Sequence, residues 1–369
     1  MKHIVEEWHQ TICDSSLWEF YFGGMRAGTL DIETTGLDPS RNKFVLGGVY
    51  DAQSHELHQV LAESRAEEAD ALAEYMDVLA DLEVVVTYNG RHFDIPFTDT
   101  RLKRHPETSS LSCGFLYDLD LYRVLSGHSP IRKLVPNMRQ KTVENYMGLW
   151  DTRADEISGA ESVELYNQYE ATADPDAEAK ILLHNNDDVR QLTRLTKAIT
   201  KSDFHKAMFR IGFPVKCGPA LLTVNNIRIQ RDRLEFNGEQ NRLPFRYLGY
   251  EINGWPATSR FTGENFEISV PVIRQRGITV VDLEAAGLAD RNAAGPSGIR
   301  FEDYPGCASG FLVLEDANGI RYRETNHFIK EFTKKVMEEN IWKSDLSESE
   351  IWAAPSSKDT PNHLPALVM

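Results

Sequence analysis

Cysteine is scarce in this chain: Cys13, Cys113, Cys217 and Cys307 are scattered along 369 residues without a CxxC pair. That distribution excludes a zinc ribbon and a disulfide framework, and it fits a reducing compartment. No stretch approaches the ~20 apolar residues that a bilayer span requires. The opening MKHIVEEWHQ has two early glutamates and lacks the apolar core of a secretory leader. The expectation is a cytoplasmic chain with no membrane partner. Positive charge is also in deficit, with 40 Lys+Arg against 56 Asp+Glu and a formal net charge of −16. This balance argues against a protein that merely coats a polyanion, since nonspecific nucleic-acid affinity comes mostly from neutralising phosphates. It does not exclude acidic enzymes that reach phosphodiesters through divalent cations.

What is present is a folded protein. Hydrophobic residues make up 41% and charged residues 26% of the chain, and the length suggests two domains. Between residues 28 and 62, three extended runs, GTLDIE, KFVLGGVYDA and HELHQVLAE, are separated by turn signals and predict an antiparallel meander. Apolar residues at helical spacing from Arg65 to Leu82 lead into the continuous apolar run EVVVTYNG, a buried strand. A helix from Phe93 to Lys103, a fifth strand in FLYDLDLYRVL, an acidic helix starting near Ser158 and a long helix from about Asp176 to Thr200 follow. Three antiparallel strands succeeded by alternating helices and parallel strands is the element order of a ribonuclease H-like mixed sheet.

From about residue 214 the pattern changes to alternating polar strands, and Asn318-Gly319 predicts a type I′ hairpin ahead of an amphipathic terminal helix. The expected organisation is an N-terminal extension (1–26), a ribonuclease H-like domain (27–205), a smaller β-rich domain with its helix (206–342) and a loosely structured tail (343–369).

Carboxylates supply the chemistry. Asp31 and Glu33, two apart on a strand, share one face; buried there, they repel each other and favour a divalent cation, although a solvent-facing pair near a turn has the same spacing. VVVTYNGRHFDIPF delivers Asp94 to the first turn of a helix, where an acid also suits the helix dipole. ILLHNNDDVRQL places Asp188 on a helix with an apolar side. Each acid alone has a bland explanation; in this fold order the three motifs converge at one sheet edge.

With these motifs in this order, residues 27 to 200 resemble the DEDD (DnaQ-like) superfamily of 3′→5′ exonucleases, in particular its YprB-type ribonuclease H-like branch. The resemblance implies that Asp31, Glu33, Asp94 and Asp188 bind two Mg²⁺ or Mn²⁺ ions. One would prepare the attacking water and the other would stabilise the leaving 3′ oxygen. No Cys/His cluster competes for the assignment. The family adds a Tyr or His near the last acid; His184, one helical turn before Asp188, takes that place, although its four-residue spacing is that of the tyrosine-type subfamily, the histidine type having five. Asp187 competes with Asp188 if the helix is rotated, and Asp118 resembles the family's additional strand-five acid, supporting the site or lying on the surface.

The substrate implied is DNA or RNA with a 3′ end. Thr34, Thr35 and Gly36 would hold the terminal nucleotide through backbone N–H groups, and Asn89 and Phe93 would touch sugar or base, with a core role for Phe93 as the alternative. Arg91, Arg101, Lys103 and Arg104, and further on Arg123, Arg132, Lys133, Arg139 and Lys141, would track phosphates or simply be solvated. Residues 201–246 hold nine Lys/Arg against four Asp/Glu, which points to the domain junction as a strand platform. The β-rich unit suits a substrate clamp, a protein-partner module or an oligomerisation domain. A scaffold that has lost turnover and a structure-specific endonuclease of the same fold are the competing readings.

Overall fold

The computed structural model describes residues 1–149, 153–154, 157–218, 220–241, 246–252, 254–289 and 299–338; the expected loose tail at 343–369 lies outside them. The N-terminal half contains β1 (Lys2–Glu7), α1 (Ser16–Phe22), β2 (Ala27–Thr34), β3 (Phe44–Asp51), β4 (Glu56–Leu61), α2 (Glu68–Leu79), β5 (Val84–Thr87), α3 (Asp94–Leu102), β6 (Tyr117–Asp120) and α4 (Leu121–His128). Next come the helices α5 (Ile131–Leu134), α6 (Gln140–Tyr146), α7 (Gly159–Thr172), α8 (Pro175–Leu195) and α9 (Phe204–Ile211).

Six strands form one sheet in the order β1-β4-β3-β2-β5-β6. The expected meander is present as antiparallel β2–β3 and β3–β4 pairs, and β5 and β6 join in parallel beside β2. Residues 2–7, which carry no clear strand pattern in sequence, add an antiparallel edge strand against β4. Only two of the six residues of β1 are even partly buried, so the hydrophobic alternation that would announce a strand is absent.

Helices cover both faces of this sheet. On one, Leu30, Ile32, Val49, Val60 and Val85 pack with Leu72, Tyr75 and Leu79 of α2 and Phe97 of α3. On the other, Val45, Leu46 and Leu61 meet Tyr166 and Tyr169 of α7 and Ile181 of α8. Local chemistry starts these helices: Ser158 and Glu161 form a reciprocal capping box for α7, and the Asp174 carboxylate caps α8 ahead of Pro175.

The remaining chain is β-rich: β7 (Phe213–Cys217), β8 (Ala220–Ile229), β9 (Arg233–Gln240), β10 (Arg246–Gly249), β11 (Thr258–Thr262), β12 (Asn265–Pro271), β13 (Ile273–Gln275), β14 (Ile278–Asp282), β15 (Phe311–Asp316) and β16 (Gly319–Ile320), closed by α10 (Tyr322–Val336). They form two antiparallel sheets, β10-β11-β12-β9-β8-β7 and β13-β14-β15-β16. The expected hairpin exists, but its turn differs from type I′. Asp316 pairs with Gly319, so Ala317 and Asn318 are the central residues, and neither has positive φ. The Asp316 carboxylate accepts the Asn318 N–H at 2.8 Å, and Gly319 carries the positive φ of 102°.

The two halves share hydrogen bonds as well as core. Tyr117 Oη donates to the Gly212 carbonyl at 2.7 Å, Asn241 Nδ2 to that of Phe115 at 2.9 Å, and Asn326 of α10 to Tyr21 Oη at 2.8 Å. No helix among the described residues is long and apolar enough to cross a membrane. All four cysteines are buried and free.

Candidate active site: a carboxylate cleft under helix α8

The two-residue period of β2 turns Asp31 and Glu33 toward the face covered by α7 and α8. Asp31 pairs across the sheet with Gly48, and a Cβ built at Gly48 would lie 2.2 Å from Asn185 Oδ1 and 2.9 Å from Val189. The missing side chain lets α8 approach the sheet closely enough for Asn185 Nδ2 to donate to the Asp31 carbonyl at 3.1 Å and to its carboxylate at 3.3 Å. Glu33 is 8% exposed, and its Oε2 accepts from Ser162 Oγ of α7 at 3.0 Å.

Asp94 arrives from the other direction. Asn89 adopts a left-handed φ of 69°, with its N–H held by Asp120 at 2.8 Å, and turns the chain after β5 so that α3 begins at Asp94. The Ile32 N–H donates to Asp94 Oδ1 at 3.2 Å, joining α3 to the strand between the two acids.

Helix α8 completes the cleft. His184, 3% exposed, is buried, in contrast to a solvated helical histidine. Its Nε2 lies 3.5 Å from Glu33 Oε1 and 3.6 Å from Asp188 Oδ2. One ligand atom from each of Glu33, His184 and Asp188 falls within 4.8 Å of the others. Of the adjacent acids, Asp188 enters this cluster, whereas Asp187 accepts the Ala154 N–H at 2.6 Å.

Electrostatics set the cleft apart. Burial, then the charges of Asp188, Asp94 and Glu33, hold the Asp31 carboxyl well above the usual range, opposed by the Asn185 amide. Burial pushes Asp94 up to about 7; N–H donors oppose it, and the nearby Asp118 and Asp120 add to it. Anionic groups crowded at low dielectric favour either protons or cations. The donors are mainly carboxylate oxygens with the His184 imidazole beside them, a set that suits a divalent cation. Asp31 and Asp94 stand outside the tight triad of Glu33, His184 and Asp188, yet Asp31 feels the charge of both Asp94 and Asp188.

Other expected residues have more varied positions. Thr34, Thr35 and Gly36 lead into the loop after β2, but their polar groups bond within it: Thr34 Oγ1 donates to the Gly36 carbonyl at 2.8 Å and Thr35 Oγ1 accepts the Lys43 N–H at 2.8 Å. Gly36 has a φ of 151°, and a Cβ there would sit 2.7 Å from Asn42 Oδ1. Phe93 packs partly buried beside the α2/α3 cluster, its ring 5.4 Å from that of Phe97.

Asp118 lies on the face opposite Asp31 and Glu33, since it pairs with Val85, which belongs to the α2/α3 side. It accepts from Thr87 Oγ1 at 2.7 Å and is raised to about 7 by burial, opposed by that hydrogen bond. With Arg91 and Arg123 it lines a cavity of about 750 Å³ between the sheet edge and strands β8 and β9. Its reach to the cleft is through its charge on Asp94. Arg101 is not a phosphate contact: 5% exposed, it makes two 2.7 Å bonds to the fully buried Glu68.

Three residues of the site escape the sequence motifs. Asn185 and Ser162 hold the acids of β2, and Arg153 Nη2 lies 2.5 Å from Asp188 Oδ1 and 3.1 Å from Glu144 Oε1. Asn185 sits one residue after His184 on the same helix and could have been suspected; nothing near Arg153 marks it.

Residues 29–200 match the model of the RNase_H_2 family, described as RNase_H superfamily. No curated protein matches the chain. Among solved structures it is similar to the family B DNA polymerase from the hyperthermophilic archaeon Pyrobaculum calidifontis, with 18% identity, a TM-score of 0.36, and coverage of 57% of this chain and 34% of that one. The chain thus spans about a third of that polymerase's length.

Proposed function

We propose that this protein is a divalent-metal-dependent nuclease that removes nucleotides from 3′ ends of DNA or RNA. The observation that carries this reading is the meeting of Asp31, Glu33, Asp94, His184 and Asp188 from β2, α3 and α8, where the carboxylates raise one another's cost of ionisation and so favour a bound cation. A fold that needed only stability would be better served by apolar residues at these positions. The match of residues 29–200 to the RNase_H superfamily supports phosphodiester chemistry.

In this reading Asp31, Glu33, Asp94 and Asp188 hold the cations. Bound Mg²⁺ or Mn²⁺ supplies charge stabilisation for the phosphorane-like transition state and acidifies the attacking water. His184, between Glu33 and Asp188, accepts the water proton through Nε2. Asn185 and Ser162 fix the rotamers of Asp31 and Glu33, and Ile32 fixes Asp94.

The test is degradation of 5′-labelled single-stranded DNA and RNA with Mg²⁺ or Mn²⁺, beside EDTA and an Asp31→Ala/Glu33→Ala variant. A ladder that shortens with time and vanishes in both controls is expected. Internal cleavage of circular substrates would instead favour an endonuclease, and intact oligonucleotides would remove the enzymatic reading.

A further inference from the structure

Arg153 occupies a chemically unusual place. Its side chain is 8% exposed and lies between two acids, Glu144 of α6 at 2% and Asp188 of α8 at 18%. Nη2 reaches Asp188 Oδ1 at 2.5 Å, while Nε and Nη2 donate to the two Glu144 oxygens at 3.2 and 3.1 Å. One oxygen of Asp188 is therefore engaged by a guanidinium. The other, Oδ2, faces His184 and belongs to the triad with Glu33. A positive charge this close to a cation-binding carboxylate opposes a second cation, and it also neutralises that carboxylate when none is bound.

Resting on the metal-nuclease reading, we propose that Arg153 is a resident counter-cation that competes with the divalent metal for Asp188. Without metal, the guanidinium bridges Glu144 and Asp188 and keeps the acid cluster from accumulating unbalanced charge. A metal taken up beside Asp188 Oδ2 meets the guanidinium charge on Oδ1, and Glu144 holds the arginine there through its two-point contact. Metal affinity is then set by this opposition of charge, and the protein stays folded when cations are scarce.

The competition is read by calorimetric titration of Mn²⁺ into the wild-type chain, Arg153→Met, Arg153→Lys and the double variant Glu144→Gln/Arg153→Met, with thermal melts at zero and saturating Mn²⁺. The double variant avoids stranding a buried Glu144, so it carries the test if Arg153→Met does not fold. Loss of the guanidinium should tighten Mn²⁺ binding by about tenfold or more, and Arg153→Lys, which keeps the charge, should stay near wild type. The melting temperature of metal-free Arg153→Met should fall, and the gap should close at saturating Mn²⁺. Binding that is unchanged or weaker in both methionine variants would overturn the competition and make Arg153 an orienter of Asp188, leaving the metal reading intact. If neither wild type nor the methionine variants show Mn²⁺ binding that Glu33→Gln/Asp188→Asn abolishes, the metal reading falls and the competition falls with it.

Discussion

Strand β3 is buried at all eight positions, whereas β9 alternates between buried and partly or fully exposed residues. The first belongs to a sheet with helices on both faces, the second to an antiparallel sheet with one wet side. In the N-terminal sheet, an acid on the helix-covered face of a central strand meets other acids before it meets water: Asp31 and Glu33 of β2 stand against Asp94 of α3 and Asp188 of α8. In the β-rich half, charges such as Glu267 project outward, and burial goes to Phe236, Phe261 and Phe266. Both regions are well packed, but among the described residues the buried acids crowd together in the first, and like charges held together within a stable fold are a signature of chemistry.

The largest expected contrast comes from neutralising one acid in each region. Asp31→Asn should lower nuclease turnover about a thousandfold, several kcal/mol of transition-state stabilisation, while raising the metal-free melting temperature by relieving repulsion. Glu267→Gln on exposed β12 should change neither. Equal effects of the two on turnover would break the comparison.

A buried acid that is fully compensated should behave in the opposite way. Glu68 is fully buried and bonded to Arg101, Lys43 and His105 at 2.7 to 2.9 Å, and these partners hold its pKa down at about 2 against the cost of burial. Glu68→Ala should cost about 3 to 5 kcal/mol in denaturant unfolding, because it strands Arg101. A loss below 1 kcal/mol would show the network to be dispensable.

Asp118 gives the pH dependence. Its pKa rises from 3.8 to about 7 on folding, so the folded state binds the proton more tightly than the unfolded state. Stability therefore declines as pH rises from about 4 through 7, by up to about 4 kcal/mol from this group. Asp118→Asn should lessen the fall of the melting temperature between pH 5 and 8 in metal-free protein, the rest coming from Asp94 and Asp31, and leave the variant more stable at pH 8. An unchanged slope would mean that Asp118 ionises freely.

The smallest expected effect tests the close approach of α8. Gly48→Ala should displace Asn185 and reduce turnover about a hundredfold, with a stability cost of about 1 to 3 kcal/mol. Wild-type turnover would show that the distance between α8 and the sheet is not critical.

Much of the site is legible from spacing. Asp31 and Glu33 share a face because strands repeat every two residues, and His184 and Asp188 share one because helices place residues four apart together. Asn89-Gly90 marks the turn that presents Asp94. Spacing cannot say which face of a sheet becomes the cleft, so Asp118 reads as a supporting acid although it projects to the other side. Nor can it distinguish a basic residue bound for solvent from one bound for a buried partner: Arg101 looks like a phosphate contact until Glu68, 33 residues away, is seen beside it.

The chain's own periodicities and turn residues determined the element order, the mixed sheet and the acids paired on single elements, since these follow from backbone geometry over a few residues. Tertiary structure alone decided that the edge strand comes from residues 2–7, that Gly48 admits α8, and that Arg153 reaches Asp188 across 35 residues of sequence. Those outcomes depend on which distant surfaces meet once the core is packed, and no local pattern encodes the partner.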